Sequence, residues 1–239
     1  MNPGTGDPVW CSGLSSSRIA VIAALELEAD ILRRVPRFSE SPIHVSGPGP
    51  ERAGAAALRA VEAGAEALVV WGVAGGLTQN ADCGTVMLPA RILADGGAWS
   101  SDASWCERIA SALGSGLAPV DLPLFSMDHV LSDPEQKGAL AGSSGAAAVD
   151  MESAAVARVA AEAGLPFVVL RVVADGPDDA LPDKVESLIT DDGRMRLRGL
   201  ANFILAPRQL VALVRLGRRS QRARQVLERV AVQLAEVAA

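Results

Sequence analysis

The chain has 239 residues, 49% hydrophobic and 21% charged, which suits one large domain with a substantial core and excludes disorder for most of its length. Its net charge of −6 is uneven: residues 193–239 carry ten arginines against Glu228 and Glu236, a balance of +8, leaving −14 for the rest. An acidic body with a basic tail argues against general nucleic-acid binding, and no apolar run reaches the roughly 20 residues of a membrane span.

Taken in order, residues 1–17 are rich in Gly, Pro and Ser and lack the basic and apolar regions of a signal peptide. They are expected to form a disordered leader, and a cytoplasmic location is the default. Residues 18–25 (RIAVIAAL) form a continuous apolar run, the pattern of a strand buried on both faces. A helix is expected over 26–35, then a strand over 44–49 ending in a glycine turn. Residues 51–63 are Ala-rich and helical, closed by Gly64. Further strands are expected over 67–73, 84–93, 122–127, 146–151 and 166–174, with helices over 104–113 and 152–163. An Asp- and Pro-rich loop spans 175–192. One or two helices finish the chain, with a break or kink near Pro207.

Strands alternating with helices imply an α/β fold. The expected architecture is three-layered, αβα, around a mixed, mainly parallel sheet, with a helical C-terminal extension over 193–239 that belongs to the same domain as 18–192. Cys11, Cys83 and Cys106 have neither CxxC spacing nor an even count, so no disulfide framework or zinc site is supported. His44 and His129 are too far apart in sequence to suggest a metal pair, and no metal site is expected.

In open α/β sheets ligands bind outside the carboxyl ends of strands. Three apolar runs end in carboxylates there: Glu28 after RIAVIAAL, Glu152 after AAAVDM, and Asp175 after VVLRVVA. Each also has a plainer reading. Asp175 suits a turn or helix cap, Glu152 the first turn of a helix, and Glu28 a solvated helix face, with Glu26 as its competitor. Gly72-Val73-Ala74-Gly75-Gly76 suits a backbone cradle for an anion or sugar, yet fits neither the dinucleotide fingerprint nor the P-loop. Gly47-Pro48-Gly49-Pro50 is a cradle or a plain turn. No Gly-x-Ser-x-Gly elbow occurs.

Val149-Asp150-Met151-Glu152-Ser153-Ala154-Ala155, followed by Leu165-Pro166-Phe167-Val168-Val169-Leu170-Arg171 and closed by Ala174-Asp175, resembles the signature of the nucleoside phosphorylase and nucleosidase superfamily. It is similar in particular to the methylthioadenosine/S-adenosylhomocysteine nucleosidases. Ala24-Leu25-Glu26-Leu27-Glu28 and Gly72-Val73-Ala74-Gly75-Gly76-Leu77 match two more blocks in the right order. The Asp150–Ser153 block, the segment ADGPDDALP and the tail over 200–224 resemble the hopanoid-biosynthesis members, which remove adenine from adenosylhopane.

The resemblance implies a phosphorylase-type fold, a homo-oligomer and a set of roles. Asp175 would protonate the purine at N7, and Glu28 would activate the attacking water. Glu152 would hold the ribose hydroxyls, with Met151 against the sugar. Val73, Ala74 and Gly75 would line the substrate, and Val130 and Leu131 would meet the base. Two departures bear on the nucleophile. Val73 replaces a hydroxyl residue common in relatives, and no arginine stands in 67–73 where phosphorylases place one for phosphate. Hydrolysis is therefore favoured, with phosphate left open as a co-substrate and no other cofactor expected. A third departure is Ala174, where many nucleosidases have a serine orienting the acid. The runner-up is a methylthioadenosine/S-adenosylhomocysteine-type nucleosidase or purine nucleoside phosphorylase; a non-catalytic nucleoside-binding protein is a second alternative.

In the tail, Leu205, Leu210, Leu213, Val214 and Leu216 alternate with Arg208, Arg215, Arg218, Arg219, Arg222 and Arg224. Such a helix either lies on the anionic inner face of a membrane or packs on its own body or a twin subunit.

Overall fold

A computed structural model of the chain describes residues 15–181, 190–194 and 207–236, with the backbone alone over 207–216. Most of the expected leader, and the apolar run over 200–206, lie outside the described residues. Ser16–Arg18, at the edge of that leader, forms a 3-10 turn in which Ser16 is buried, so the folded body includes it.

The elements follow as β1 (Ile19–Ala23), α1 (Glu26–Arg33), β2 (Ile43–Val45), α2 (Pro50–Glu62), β3 (Ala67–Gly76), β4 (Val86–Met87), β5 (Arg91–Ala94) and β6 (Gly97–Ser100). Then come α3 (Ala103–Leu113), β7 (Leu124–Ser126), α4 (Pro134–Ser144), β8 (Ala148–Asp150), α5 (Ser153–Ala163), β9 (Phe167–Asp175) and α6 (Pro207–Glu236).

The long apolar runs become the sheet's centre. β3 lies between β1 and β9, parallel to both, and β2 flanks β1. Side-chain alternation divides these strands between two cores. Ile19, Val21, Val69, Trp71, Val168 and Leu170 face one layer, built with α1, α3 and α6; Ala20, Ile22, Leu68, Val70 and Val169 face the other, built with α2 and α5. The sheet is mixed, since β8 and β4 run antiparallel to β3 and β9. Pairing of β1 with β3 ends at Trp71, and β8 takes over the vacated edge at Gly75 and Gly76. The sheet therefore parts around the second half of β3, with β8 on one side and β9 on the other.

Three local expectations are corrected. The strand expected over 84–93 is two strands, β4 and β5, because Pro89 has no N–H to continue a ladder. β6 was not expected; it pairs with β5 through the two-residue turn Asp95-Gly96, where Gly96 has φ +88°, and Asp-Gly is a favoured hairpin turn. α4 was not expected either. Asp133 accepts from the Glu135 N–H at its start, and Pro134 occupies its first turn.

The described end of the tail packs on the body. Ala223, Leu227, Val230, Ala231 and Leu234 of α6 are buried in the core shared with α1 and α3, at the spacing of one helical face. The helix begins at Pro207, where proline's missing N–H costs nothing.

Candidate active site

Glu28 stands in the first turn of α1, directly after β1, and is 3% exposed. Its carboxylate accepts the Leu25 N–H at Oε2 and the Val73 N–H at Oε1, both at 2.9 Å. The Trp71 indole N–H donates to its backbone carbonyl at 3.1 Å. A Cβ at Gly72 would fall 2.4 Å from Oε1, and Gly72 has φ +147°, so glycine alone admits the carboxylate here. Burial pushes the Glu28 carboxyl up to about 7, against Arg171 and the two N–H donors, which favour the anion. Its competitor Glu26 is part-exposed and pairs with Arg33 at 2.7 Å, a surface contact.

Glu152 is the N-cap residue of α5, but its side chain makes no capping hydrogen bond. Its Oε1 accepts the Gly49 N–H at 2.9 Å, and its Oε2 faces Arg171 Nη2 at 2.9 Å. The Gly47-Pro48-Gly49 turn thus serves a carboxylate of the site, with Gly49 at φ +103°. Burial raises the Glu152 carboxyl above its ordinary range, opposed by Arg171.

Arg171, midway along β9 and 1% exposed, organises this side. Its Nε and Nη2 reach Asp150 Oδ2 at 3.0 and 2.7 Å. Asp150 also accepts the Ser153 N–H at 3.2 Å and the Ser153 hydroxyl. Burial disfavours the guanidinium charge, but Asp150, Glu152 and Glu28 outweigh it and hold Arg171 ionised.

Asp175 ends β9 where the β3–β9 register slips, opposite Gly75. It is 8% exposed, and a Cβ on Gly75 would lie 3.4 Å from its Oδ2. Lys137 of α4, with no exposed surface, donates to Asp175 Oδ2 at 2.5 Å, to the Gly176 carbonyl at 2.9 Å and to the Asp179 carbonyl at 3.1 Å. Burial raises the Asp175 carboxyl; Lys137, and more weakly Arg219 of α6, oppose that rise. Arg219 also pairs with Asp179, whose carboxylate accepts the Gly176 N–H at 2.8 Å.

The three carboxylates expected at strand ends are all buried around one stretch of β3. Glu28 bonds Val73, and Asp175 sits beside Gly75, two strand residues or about 7 Å further on. Of the other expected residues, Ala74 is buried, while Val73 and Met151 are half-buried. Leu131 is buried against Leu77 and Val149, and half-exposed Val130 precedes it in the loop after β7. That loop is tied to the segment after Asp175 by the Leu181 N–H donating to the Ser132 carbonyl at 2.9 Å.

A family model described as the Phosphorylase superfamily matches residues 39–205. The chain belongs to this superfamily. Its fold is also that of solved members. It is similar to a 5'-methylthioadenosine/S-adenosylhomocysteine nucleosidase from Neisseria meningitidis in complex with methylthio-immucillin-A, with TM-score 0.69, 18% identity, and 90% of this chain and 97% of that chain covered. It is similar as well to a futalosine hydrolase mutant from Helicobacter pylori strain 26695, with TM-score 0.64, 15% identity, and 90% and 97% covered. At such identities the likeness concerns the fold. A 5'-methylthioadenosine/S-adenosylhomocysteine nucleosidase of Treponema pallidum (strain Nichols) is 36% identical over 81 residues; the match spans 31% of this chain and 30% of that relative.

Two residues of this buried cluster were missed in the sequence. Arg171 lay inside the recognised motif but carried no role, since nothing local shows that its partners are Asp150 and Glu152. Lys137 lay in a helix that was itself missed. A signal existed for the helix and its lysine: Asp133-Pro134 is a helix start, and Lys137 and Lys184 are the only lysines among 22 basic residues.

Proposed function

We propose that the protein hydrolyses the N-glycosidic bond of an adenosine-like nucleoside, releasing adenine. The observation that carries this reading is the burial of Glu28 and Asp175 about two residues apart along β3, one held by backbone N–H groups and one by an ammonium. Asp175 protonates N7, so the purine leaves neutral. Glu152, fixed by Gly49 and Arg171, accepts the ribose hydroxyls. Glu28 takes the proton of the attacking water, and its charge favours the cationic sugar that forms. Water is preferred to phosphate because the buried cations near these carboxylates, Arg171 and Lys137, are already engaged by acids.

Within this class, adenosylhopane is the substrate favoured by the Asp150–Ser153 block, the segment after Asp175 and the basic tail. On α6, Arg218 and Arg222 are exposed and available to an anionic surface, while Arg219 is engaged by Asp179. No helix among the described residues is long and apolar enough to cross a membrane. A free methylthioadenosine-type substrate is the second reading, favoured by the Neisseria and Treponema likenesses.

The test is adenine release from adenosylhopane and methylthioadenosine, with and without phosphate, with the sugar product identified by mass spectrometry. A free ribosyl product formed without phosphate supports hydrolysis. A phosphoribosyl product that requires phosphate overturns it, and turnover of methylthioadenosine alone removes adenosylhopane.

The pH dependence follows from Glu28. A base acts ionised, so kcat/KM rises with pH and levels off above about 7, the value to which burial lifts this carboxyl. The limb is absent in Glu28→Gln, which is also slower throughout. A limb near the ordinary glutamate range, or one that survives in the variant, assigns the base elsewhere.

A further inference from the structure

The contact between Lys137 and Asp175 has a consequence for the acid. An ammonium bound to a carboxylate stabilises the anion and so opposes its use as a proton donor. Yet Lys137 is fully buried, and the three hydrogen bonds of its ammonium go to Asp175 and to the segment just after it. A buried charge is costly to maintain unless well paired. The chain uses arginine for nearly every cation, with lysine only at positions 137 and 184. At this buried position it places the one cation of the two that can release a proton. The serine expected to orient the acid is Ala174, and Lys137 fills that gap from another element.

We propose that Lys137 is the positioning residue of the general acid, holding Asp175 at Oδ2 and resupplying its proton as the purine departs. The proposal rests on the nucleoside-cleaving reading above. Asp175 Oδ1 gives its proton to N7 while Oδ2 takes one from Lys137 Nζ. The electron pair of the C1′–N9 bond stays on the purine, which leaves neutral. The carboxyl remains protonated, and the ammonium becomes an amine. Water adds to C1′ and loses a proton to Glu28; as products leave, Glu28 gives that proton to solvent and solvent returns one to Lys137, so no net proton is consumed. Other charged or titratable groups near Asp175 are Arg219 of α6, Asp179 after β9, and Asp82 and Cys83 before β4. Arg219 is bound by Asp179. The thiol of Cys83 is raised by burial, so it stays uncharged.

The experiment compares the full chain with Lys137→Met and Lys137→Arg on two substrates. One is methylthioadenosine, whose purine needs a proton to leave. The other is 4-nitrophenyl 5-methylthio-5-deoxy-β-D-ribofuranoside, whose phenolate leaves without one. We expect Lys137→Met to lower kcat on methylthioadenosine about 10²-fold or more, with KM and the rate on the nitrophenyl riboside changed within about threefold. Retained cleavage of the riboside also shows that the variant is folded. Lys137→Arg keeps the charge but gives up no proton, so it shows the same selective loss. Equal losses on both substrates, or full activity of Lys137→Arg on methylthioadenosine, overturn the proposal and leave Lys137 a structural staple. If the wild-type chain cleaves neither, the variants are compared on adenosylhopane with the same criteria for adenine release; a wild-type chain that releases adenine from none of these overturns the functional reading, and this inference with it.

Discussion

Asp175→Asn lowers adenine release from methylthioadenosine by about 10²–10⁴-fold, the range a general acid supplies, and leaves the far-ultraviolet circular dichroism unchanged. The amide matches the carboxyl in shape and keeps an oxygen for Lys137, whose ammonium also retains the Gly176 and Asp179 carbonyls. It has no acidic proton for N7, so the purine must leave as an anion. Steady-state kinetics on the purified variant checks this. Turnover within about threefold of wild type would assign the acid elsewhere.

Arg171→Met destabilises the protein by about 3–5 kcal/mol, the cost of removing one partner from a buried ion pair. This is a large part of the roughly 5–15 kcal/mol that holds a domain folded. Arg171 is 1% exposed and bonds both Asp150 and Glu152. Methionine fills most of its volume, so the loss is electrostatic rather than a cavity. The sign of the pH dependence follows. Glu152, already raised by burial and lowered chiefly by Arg171, holds its proton still more tightly in the folded variant than when unfolded. The folded variant therefore gains relative stability as pH falls, and the deficit against wild type shrinks. Urea unfolding at pH 7.5 and pH 5.5 measures it. A deficit under about 1 kcal/mol at pH 7.5 would show that the pair contributes little.

Much of the fold was legible because its strongest signals are local. The runs at 18–25, 67–73 and 166–174 are too apolar to lie anywhere but the sheet's centre, and they became β1, β3 and β9. The glycines at 64 and 164 close α2 and α5, with φ +94° and +67°. What misled was finer. Pro89 divides a run that reads as one strand, and α4 has no strong apolar face; Lys137 is its one buried residue. Periodicity has little to detect in such a helix.

Residue types at strand ends sufficed to nominate Glu28, Glu152 and Asp175, since a carboxylate after a buried run must stand at the sheet's rim. Their partners were not legible. Glu152 is held by Gly49, 103 positions away in sequence, and Asp175 by Lys137, 38 positions away. Residue spacing alone did not rank Glu28 over Glu26, two residues apart on one helix; only the resemblance chose Glu28. The burial of Glu28 under Gly72, and the pairing of Glu26 with Arg33, decide that.

By itself, then, the amino-acid order determined the alternation of strands and helices, the residues that fill the core, and which acids reach the rim, because hydrophobic burial acts on patterns a few residues long. Only the tertiary structure decided which cation meets which acid and where the sheet parts to admit them. An ion pair depends on distances in space, and the chain brings its members together only after the strands have taken their register.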